Sequence, residues 1–327
     1  MYTERAETER AIPEITASQA SDPDLARSRR SWHFERNWLL YLMVLPGVLL
    51  AILFNYIPMA GLVIAFQDFK PWLGLADSRW VGWFHFEFMF EYKENTQVIW
   101  NTLIIAVLKI TAGLIVPVVF AVLLNEVRLM AFKRVVQTLV YLPHFLSWVI
   151  LGGILLDMLS PEGGLVNQTL GAFGVKPIFF LGNGDWFRVT VVVSDVWKEF
   201  GFGTIIFLAS LAGVNPALYE AAEVDGANRW KQTLHITFPA LVPIIIVVGT
   251  LSLGNILNAG FDQIFNLYNP LVYSKGDIID TFVYRQGILS GKMSFATAMG
   301  LFKSVIGFIL IVASYRLAYK YANYKIF

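Results

Sequence analysis

The stretch from residue 212 to residue 243, AGVNPALYEAAEVDGANRWKQTLHITFPALVP, is the longest amphipathic segment between two strongly apolar runs. Asn215 followed by Pro216 predicts the start of a helix, because Asn caps free N–H groups and Pro fits the first helical position. Gly226 can adopt the left-handed conformation that ends such a helix. A second helix is predicted from about Asn228. The stretch therefore predicts two short helices at a bend between membrane-like segments.

The spacing of small and charged residues in this stretch resembles a known family motif. Glu220-Ala221-Ala222, then Gly226, and later Pro239 where the chain returns to apolar sequence, resemble the EAA loop of ABC-importer membrane subunits. In that family the loop is the coupling helix that docks on a cytoplasmic ATPase. The resemblance implies that Glu220 anchors a basic group and that the two alanines permit close approach. The alternative is an ordinary helical hairpin on a cytoplasmic surface.

Composition indicates a membrane protein. Hydrophobic residues make up 56% and charged residues only 15% of the sequence, and the mean hydropathy is +0.58. Ordinary globular domains have about a quarter charged residues, so a polytopic membrane protein is predicted. The sequence has no cysteine, which excludes disulfides and thiolate metal sites. A formal net charge of +1 does not indicate a nucleic-acid partner.

Six apolar runs are long enough to predict six membrane-spanning helices. Their approximate bounds are residues 38–57, 97–124, 135–156, 188–211, 240–260 and 295–317. We therefore predict an all-α polytopic membrane protein, with a polar tail at residues 1–37 and a six-span domain at residues 38–327. The coupling loop, residues 212–239, lies between the fourth and fifth spans.

The distribution of basic residues predicts the orientation of the chain in the membrane. Lys and Arg concentrate in short segments at both termini, between spans two and three, and in the coupling loop; examples are Arg27, Arg36, Arg128, Arg134 and Lys231. The longer loops on the other side have fewer basic residues for their length. By the positive-inside rule, both termini and the coupling loop face the cytoplasm, where ATP is available.

Further stretches resemble the carbohydrate-uptake branch of ABC importers, with similarity to maltose-type and polysaccharide-type permeases. They are residues 45–47, 56–59, 125–128, 196–201, 211–213 and 269–280. The resemblance implies the six-span arrangement of a type I importer in a bacterial inner membrane, surrounded by lipid. It also implies a saccharide substrate, two ABC ATPase subunits, a second permease subunit and an extracytoplasmic solute-binding protein. The sequence leaves open whether the second permease subunit is identical, and the carbohydrate branch favours a homologue that forms a heterodimer.

The sequence shows no catalytic or metal-binding constellation. His33, His85, His144 and His235 lie on different segments. The nearest approach to a phosphate-binding loop, residues 287–293, is one residue too short and has Met where Ser or Thr should bind magnesium. We therefore predict a transport subunit that is not an enzyme, has no cofactor of its own and depends on a separate ATPase.

Polar residues near the end of the fifth span are candidates for the substrate path. Asn255, Asn258 and Asp262 recur at i, i+3 and i+7, which places them on one face of the predicted helix. Polar groups in a span normally face the bundle interior or a water-filled path. The alternative is hydrogen bonding to the second subunit, helped by Gly254 and Gly260.

Charged residues within the spans are further candidates. Trp197 would stack on a sugar and Lys198 would contact it, or Lys198 would simply pair with Asp195 at i, i+3. Lys109 and Lys303 add two more cations. If these lysines line the cavity, an anionic saccharide such as a uronate oligomer is favoured. The alternative is that each of them pairs with Glu199 or with a backbone carbonyl.

The resemblance implies import by alternating access, in which ATP binding to the partner ATPases moves the docked hairpin. Two alternatives remain open from the sequence. One is an ABC permease whose cargo is a peptide or an amino acid. The other is a secondary carrier driven by an ion gradient, with Asp195 and Glu199 as the ion-carrying groups.

Overall fold

The structure is a computed structural model that describes residues 34–322 and places the side chains of residues 38–316. The predicted polar tail, residues 1–37, lies outside this description apart from the backbone of its last four residues. Those four residues already belong to a helix, so the first helix begins before the predicted span.

The chain divides into two units after Ala60. In the first unit, helix α1 (Phe34–Ala51) continues through a π-helical turn (Ile52–Tyr56) into the short helix α2 (Ile57–Met59). The π-helical turn comes directly before Pro58, which has no N–H and whose ring would clash with a carbonyl of an ordinary α-helical turn. The wider turn therefore lets the helix pass the proline without ending.

The second unit is almost entirely helical. It begins inside a 3₁₀-helix (Ala60–Phe66), whose first residue still belongs to the first unit. A short antiparallel hairpin follows, in which β1 (Gln67–Asp68) pairs with β2 (Arg79–Trp80). The helices that follow are α3 (Phe84–Glu91), α4 (Lys93–Glu126), α5 (Met130–Tyr141), α6 (Trp148–Met158), α7 (Leu165–Ala172), α8 (Gly184–Ala212), α9 (Pro216–Val224), α10 (Arg229–Gln232), α11 (Phe238–Gly254), α12 (Phe261–Leu267), α13 (Tyr273–Gly276), α14 (Ile279–Tyr284) and α15 (Met293–Ala322).

Four stretches are long and apolar enough to cross a membrane, namely Trp38–Phe66, Lys93–Glu126, Arg229–Gly254 and Met293–Arg316. Two helix pairs meet the same criterion together but are bent, α5 with α6 by 101° and α8 with α9 by 69°. The described part of the chain thus has four candidate spans, or six if each bent pair is one span. This agrees with the predicted all-α fold, although individual spans differ from their predicted bounds.

The third predicted span, residues 135–156, is wrong as a single helix. After α5 comes a 3₁₀ turn (Leu142–Phe145), and α6 starts only after Ser147. Pro143 cannot donate a helical hydrogen bond, and the Ser147 hydroxyl accepts the backbone N–H of Ile150 at 3.4 Å, as a helix cap does. A proline and a cap four positions apart therefore turn one apolar run into a sharp elbow.

The fifth span begins and ends earlier than the predicted residues 240–260. Helices α10 and α11 are joined by a π-helical turn (Thr233–Thr237) into one run that ends at Gly254. The π-helical turn precedes Pro239, as it does before the proline of the first unit, so Pro239 lies inside a continuous helix. Gly260, which has a left-handed φ of 94°, then precedes α12. The chain between α11 and α12 is non-helical.

Three clusters of buried apolar side chains hold the second unit together. The first surrounds Phe187 on α8, the second joins Met89 to Phe295 and Met299, and the third surrounds Phe207 and Leu241. Lipid tails are as apolar as these side chains, so in a membrane close packing and interhelical hydrogen bonds contribute more than burial alone. The polar contacts between helices described below therefore matter for both stability and function.

Candidate translocation cavity and coupling hairpin

A cavity of about 510 Å³ opens where the fifth span is interrupted. Its walls come from α4, α8, α11 and the non-helical segment, residues 255–260. Apolar side chains such as Ile110 and Leu251 line it together with polar groups of Ser252, Asn255 and Asn258. Non-helical backbone is tolerated inside a membrane only where it is buried in protein or lines a water-filled cavity. The interruption and the cavity are therefore parts of one feature.

Lys109, near the middle of α4, forms the polar floor of this cavity. Its side chain is only 8% exposed. The Lys109 ammonium donates to Asp195 Oδ1 at 3.1 Å, to the carbonyl oxygen of Ala259 at 2.8 Å and to Gln263 Oε1. The Ala259 carbonyl belongs to the interrupted segment, so the lysine takes the place of a helical N–H donor there. All three N–H groups of the ammonium thus have an acceptor.

Gln263, on the first turn of α12, extends this network to the next helix. It is fully buried, and its amide nitrogen donates to the carbonyl oxygen of Val191 at 2.8 Å and to Ser194 Oγ at 2.9 Å on α8. The network of Lys109, Asp195 and Gln263 therefore joins α4, α8 and α12 through buried polar groups.

The structure brings only part of the predicted substrate path to the cavity. Asn255 and Asn258 line it, whereas Trp197, Lys198, Asp262 and Lys303 are not among its lining residues. The prediction that Asn255, Asn258 and Asp262 share one helix face is wrong, because α11 ends before Asn255 and a left-handed glycine separates it from α12. A helical period cannot be extended across that break.

The predicted pair of Asp195 with Lys198 is also wrong. Each intramembrane lysine finds its carboxylate elsewhere; the pairs are Lys109 with Asp195, Lys198 with Glu199, and Lys303 with Asp280. Asp195 points toward α4, whereas Lys198 points toward the elbow, where it also donates to the carbonyl oxygen of His144 at 2.8 Å. Asp195 and Lys303 thus pair with residues of other helices, whereas Lys198 pairs with the next residue of its own helix.

The coupling hairpin, residues 212–239, has the predicted local structure. Asn215 caps α9 by accepting the backbone N–H of Ala217 at 3.0 Å, and Gly226 has a left-handed φ of 75°. No residue of α9 is buried. The carboxylate of Glu220 is exposed and has no hydrogen-bond or ion-pair partner within residues 38–316.

Polar contacts tether the first half of this hairpin to its second half, which continues into the span Arg229–Gly254. Tyr219 and Thr237 share a hydrogen bond of 3.0 Å between their hydroxyl groups, and buried Gln232 donates to the carbonyl oxygen of Ala227 at 3.1 Å. Beside these tethers, Val224 is 89% and Trp230 is 74% exposed. A rigidly attached helix with an exposed apolar surface is suited to docking on another protein.

Comparison with known proteins identifies the fold and its role. Residues 109–322 match the family described as binding-protein-dependent transport system inner membrane component. This chain belongs to that family. It is similar to the polygalacturonan/rhamnogalacturonan transport system permease protein YteP of Bacillus subtilis, with 43% identity over 88% of this chain and 90% of that protein. The permease is therefore a multi-pass inner membrane subunit of an ABC importer, in the carbohydrate-uptake branch, and is not an enzyme.

Two solved structures support this assignment. The crystal structure of a bacterial ABC transporter that imports the acidic polysaccharide alginate matches with a TM-score of 0.82 and 38% identity, over 91% of the permease and 99% of that chain. The second is the bacterial alginate transporter in complex with a periplasmic protein that holds an alginate pentasaccharide. It matches with a TM-score of 0.82 and 37% identity, over 90% of the permease and 98% of that chain. The predicted type I permease arrangement is thereby confirmed.

In this permease, a second polar cluster holds the elbow between α5 and α6 against α8. His144 Nδ1 lies 2.7 Å from Glu199 Oε2, and Lys198 donates to Glu199 Oε1 at 2.8 Å. The His144 ring stacks on Phe202 with centroids 4.1 Å apart. The side chains of Lys198 and Glu199 thus have a structural role at this elbow.

Replacing Gly201 with alanine is expected to lower the melting temperature of the permease, because a β-carbon there would collide with the carbonyl oxygen of Val140 in α5. Overpacking of this kind costs about 1–3 kcal/mol, and a backbone oxygen cannot move aside as a side chain can. Gly203→Ala is the matched control on the same helix, since its β-carbon would lie 3.4 Å from Pro117 Cγ, an ordinary contact. Equal melting temperatures of the two purified variants would contradict the close α5–α8 contact.

Two contributors to these clusters are missing from the sequence-based prediction. The first is Gln263, for which an uncharged polar residue between Gly260 and an apolar run is a signal of a buried hydrogen bond. The second is His144, because no local pattern connects it with Glu199, which lies 55 positions later.

Proposed function

We propose that this permease imports a short acidic oligosaccharide, a polyuronate, across the bacterial inner membrane. The observation that carries the proposal is the nature of its relatives. The similar permease is named for polygalacturonan and rhamnogalacturonan, and the similar solved transporter imports alginate. The cavity suits a saccharide, because its amide and hydroxyl groups can bind sugar hydroxyls while its apolar side chains contact the ring faces.

In this proposal the intramembrane lysines do not select the charge of the cargo. Lys109, Lys198 and Lys303 each have a carboxylate partner within the chain, so none offers an uncompensated positive charge to a uronate. The solute-binding protein and the second permease subunit then supply the preference for an acid. The cavity of this chain supplies hydroxyl recognition through Ser252, Asn255 and Asn258.

We further propose the assembly and orientation that the motif implies. The six-span domain, residues 38–327, pairs with a homologous permease. Both termini face the cytoplasm, and the two ATPase subunits bind the coupling hairpins. Support comes from the exposed, tethered hairpin, from the unpaired Glu220 carboxylate and from the basic residues near the inner span ends. An extracytoplasmic binding protein delivers the substrate to the outward-open cavity.

Uptake by the assembled transporter in proteoliposomes tests this proposal. Trigalacturonate, presented with the cognate binding protein, is expected to accumulate only when ATP is enclosed with the ATPase subunits. A protonophore should leave uptake unchanged while ATP persists. Preference for a neutral trisaccharide or for a tripeptide would contradict the cargo assignment. Loss of uptake on addition of the protonophore would indicate a secondary carrier instead.

A further inference from the structure

A second cavity, of about 450 Å³, lies at the start of α4 against α13 and α14. It shares no lining residue with the translocation cavity. Its lining includes Gln97, Tyr273, Asp277, Arg285 and Gln286, and it is large enough for a sugar ring. In the proposed orientation these segments lie on the extracytoplasmic side, where substrate arrives.

Two buried polar atoms in this outer pocket lack partners. Arg285 donates through Nη2 to Asp277 Oδ2, and its guanidinium stacks on the Tyr273 ring, 4.0 Å from the centroid. Within the residues that the structure describes, Arg285 Nη1 and Gln286 Oε1 have no hydrogen-bond partner. An unpaired buried donor or acceptor is unfavourable, so such groups normally bind water or a ligand.

The two unpaired atoms are complementary in type. Arg285 Nη1 offers N–H donors, while Gln286 Oε1 offers an acceptor. Neither atom is accessible to solvent in the structure, so both side chains must turn toward the pocket to reach a ligand. A hydroxyl group both accepts and donates, so the hydroxyl groups of one ring can then satisfy both atoms. We propose that this outer pocket is a saccharide subsite, which holds one ring of the substrate by its hydroxyl groups before the ring enters the translocation cavity. The proposal rests on the proposed function, because it assigns a site to that cargo.

Charge in the outer pocket argues against recognition of a carboxylate. Asp277 already neutralises Arg285, and Glu94 adds a negative charge to the lining. Burial raises the pKa of Asp277, although Arg285 and Thr281 donate to its carboxylate, so this interior is unfavourable for a further anion. The subsite is therefore expected to bind a neutral sugar at least as well as a uronate.

The outer pocket and the translocation cavity lie in sequence along α4. Gln97 belongs to the first and Lys109 to the second, and the rise of an α-helix places these residues about 18 Å apart along the axis. One sugar ring cannot contact both sites, whereas an oligosaccharide can. The outer pocket would thus hold one end of the oligosaccharide while the other end enters the translocation cavity.

The absence of cysteine in this chain allows a direct test by protection from labelling. In the assembled transporter, Glu94→Cys places one thiol at the pocket and keeps Arg285 and Gln286 intact. A membrane-impermeant maleimide added from outside should label it, as measured by mass spectrometry of the permease. Both trigalacturonate and its fully methyl-esterified, neutral form should protect it. Glu162→Cys, on an exposed outer turn, is the matched control and should not be protected.

Adding Gln286→Leu to the Glu94→Cys variant should raise the sugar concentration needed for half protection about threefold to tenfold, the effect of one lost hydrogen bond. The melting temperature without sugar should not fall, because Gln286 Oε1 has no protein partner to lose. If saturating sugar protects neither thiol, or both equally, the pocket holds only water. Protection by the acid but not by the ester would also overturn the proposal. Uptake of trigalacturonate by the wild type, measured in parallel, separates these outcomes from failure of the proposed function.

Discussion

Lys109→Met is expected to lower the melting temperature of the purified permease markedly and to abolish uptake. The substitution leaves the Asp195 carboxylate and the buried Gln263 carbonyl oxygen without their donor, and the Ala259 carbonyl loses the group that compensates for the interrupted helix. Removal of one partner from a buried ion pair costs about 3–5 kcal/mol. Thermal unfolding in detergent, together with proteoliposome uptake, measures both effects.

The double variant Lys109→Met/Asp195→Asn is the matched control for this prediction. It removes the uncompensated charge along with the cation, so it should recover a large part of the lost melting temperature while uptake stays low. Such a recovery would show that the unpaired carboxylate of Asp195 causes most of the instability of the Lys109→Met variant. A double variant no more stable than the single one would show that the ion pair is not what joins α4 to α8.

Gly226→Val is expected to uncouple transport from ATP hydrolysis while leaving the permease inserted and folded. Gly226 has a φ of 75°, and no atom lies within 4 Å of the position that a β-carbon would take. The constraint is therefore conformational rather than steric crowding by neighbours. A left-handed residue other than glycine costs about 1–2 kcal/mol, which corresponds to a change of about 5-fold to 30-fold in the population of the docked hairpin. Stimulation of ATPase activity by the sugar-loaded binding protein measures the loss.

Gly226→Asn separates handedness from side-chain size in the same position. Asparagine is close to valine in size but tolerates the left-handed conformation, whereas a β-branched residue does not. The Asn variant should therefore retain most of the stimulated ATPase activity. Equal activity of the two variants, at either level, would mean that the hairpin does not require this backbone conformation for coupling.

Local structure in the coupling hairpin was predictable because its causes lie within a few residues. Asn215 caps the helix that Pro216 begins, and Gly226 turns the chain, as their side chains dictate. The position of the hairpin between two apolar runs followed from hydropathy. None of these inferences needed a contact between distant parts of the chain.

Span boundaries were less predictable because apolar composition does not show where the backbone leaves the helical conformation. Residues 135–156 are mostly apolar, yet Pro143 and the Ser147 cap divide them into two helices. Residues 255–260 contain no charged residue and follow an apolar helix, yet their backbone is not helical. Hydropathy reports which residues avoid water, whereas helical hydrogen bonding depends on what else can satisfy the backbone groups.

By itself, the sequence determined the membrane class, the six apolar runs, the coupling motif and the family, because each depends on residue type at short or fixed spacing. Only the tertiary structure decided the partners of the charged groups and therefore the site. Asp195 bonds with Lys109 from another helix rather than with Lys198 three residues away, and Lys109 in turn compensates the carbonyl of Ala259. In a medium without water, a buried polar group must bond with whichever group packing brings within reach, and packing is a property of the whole fold.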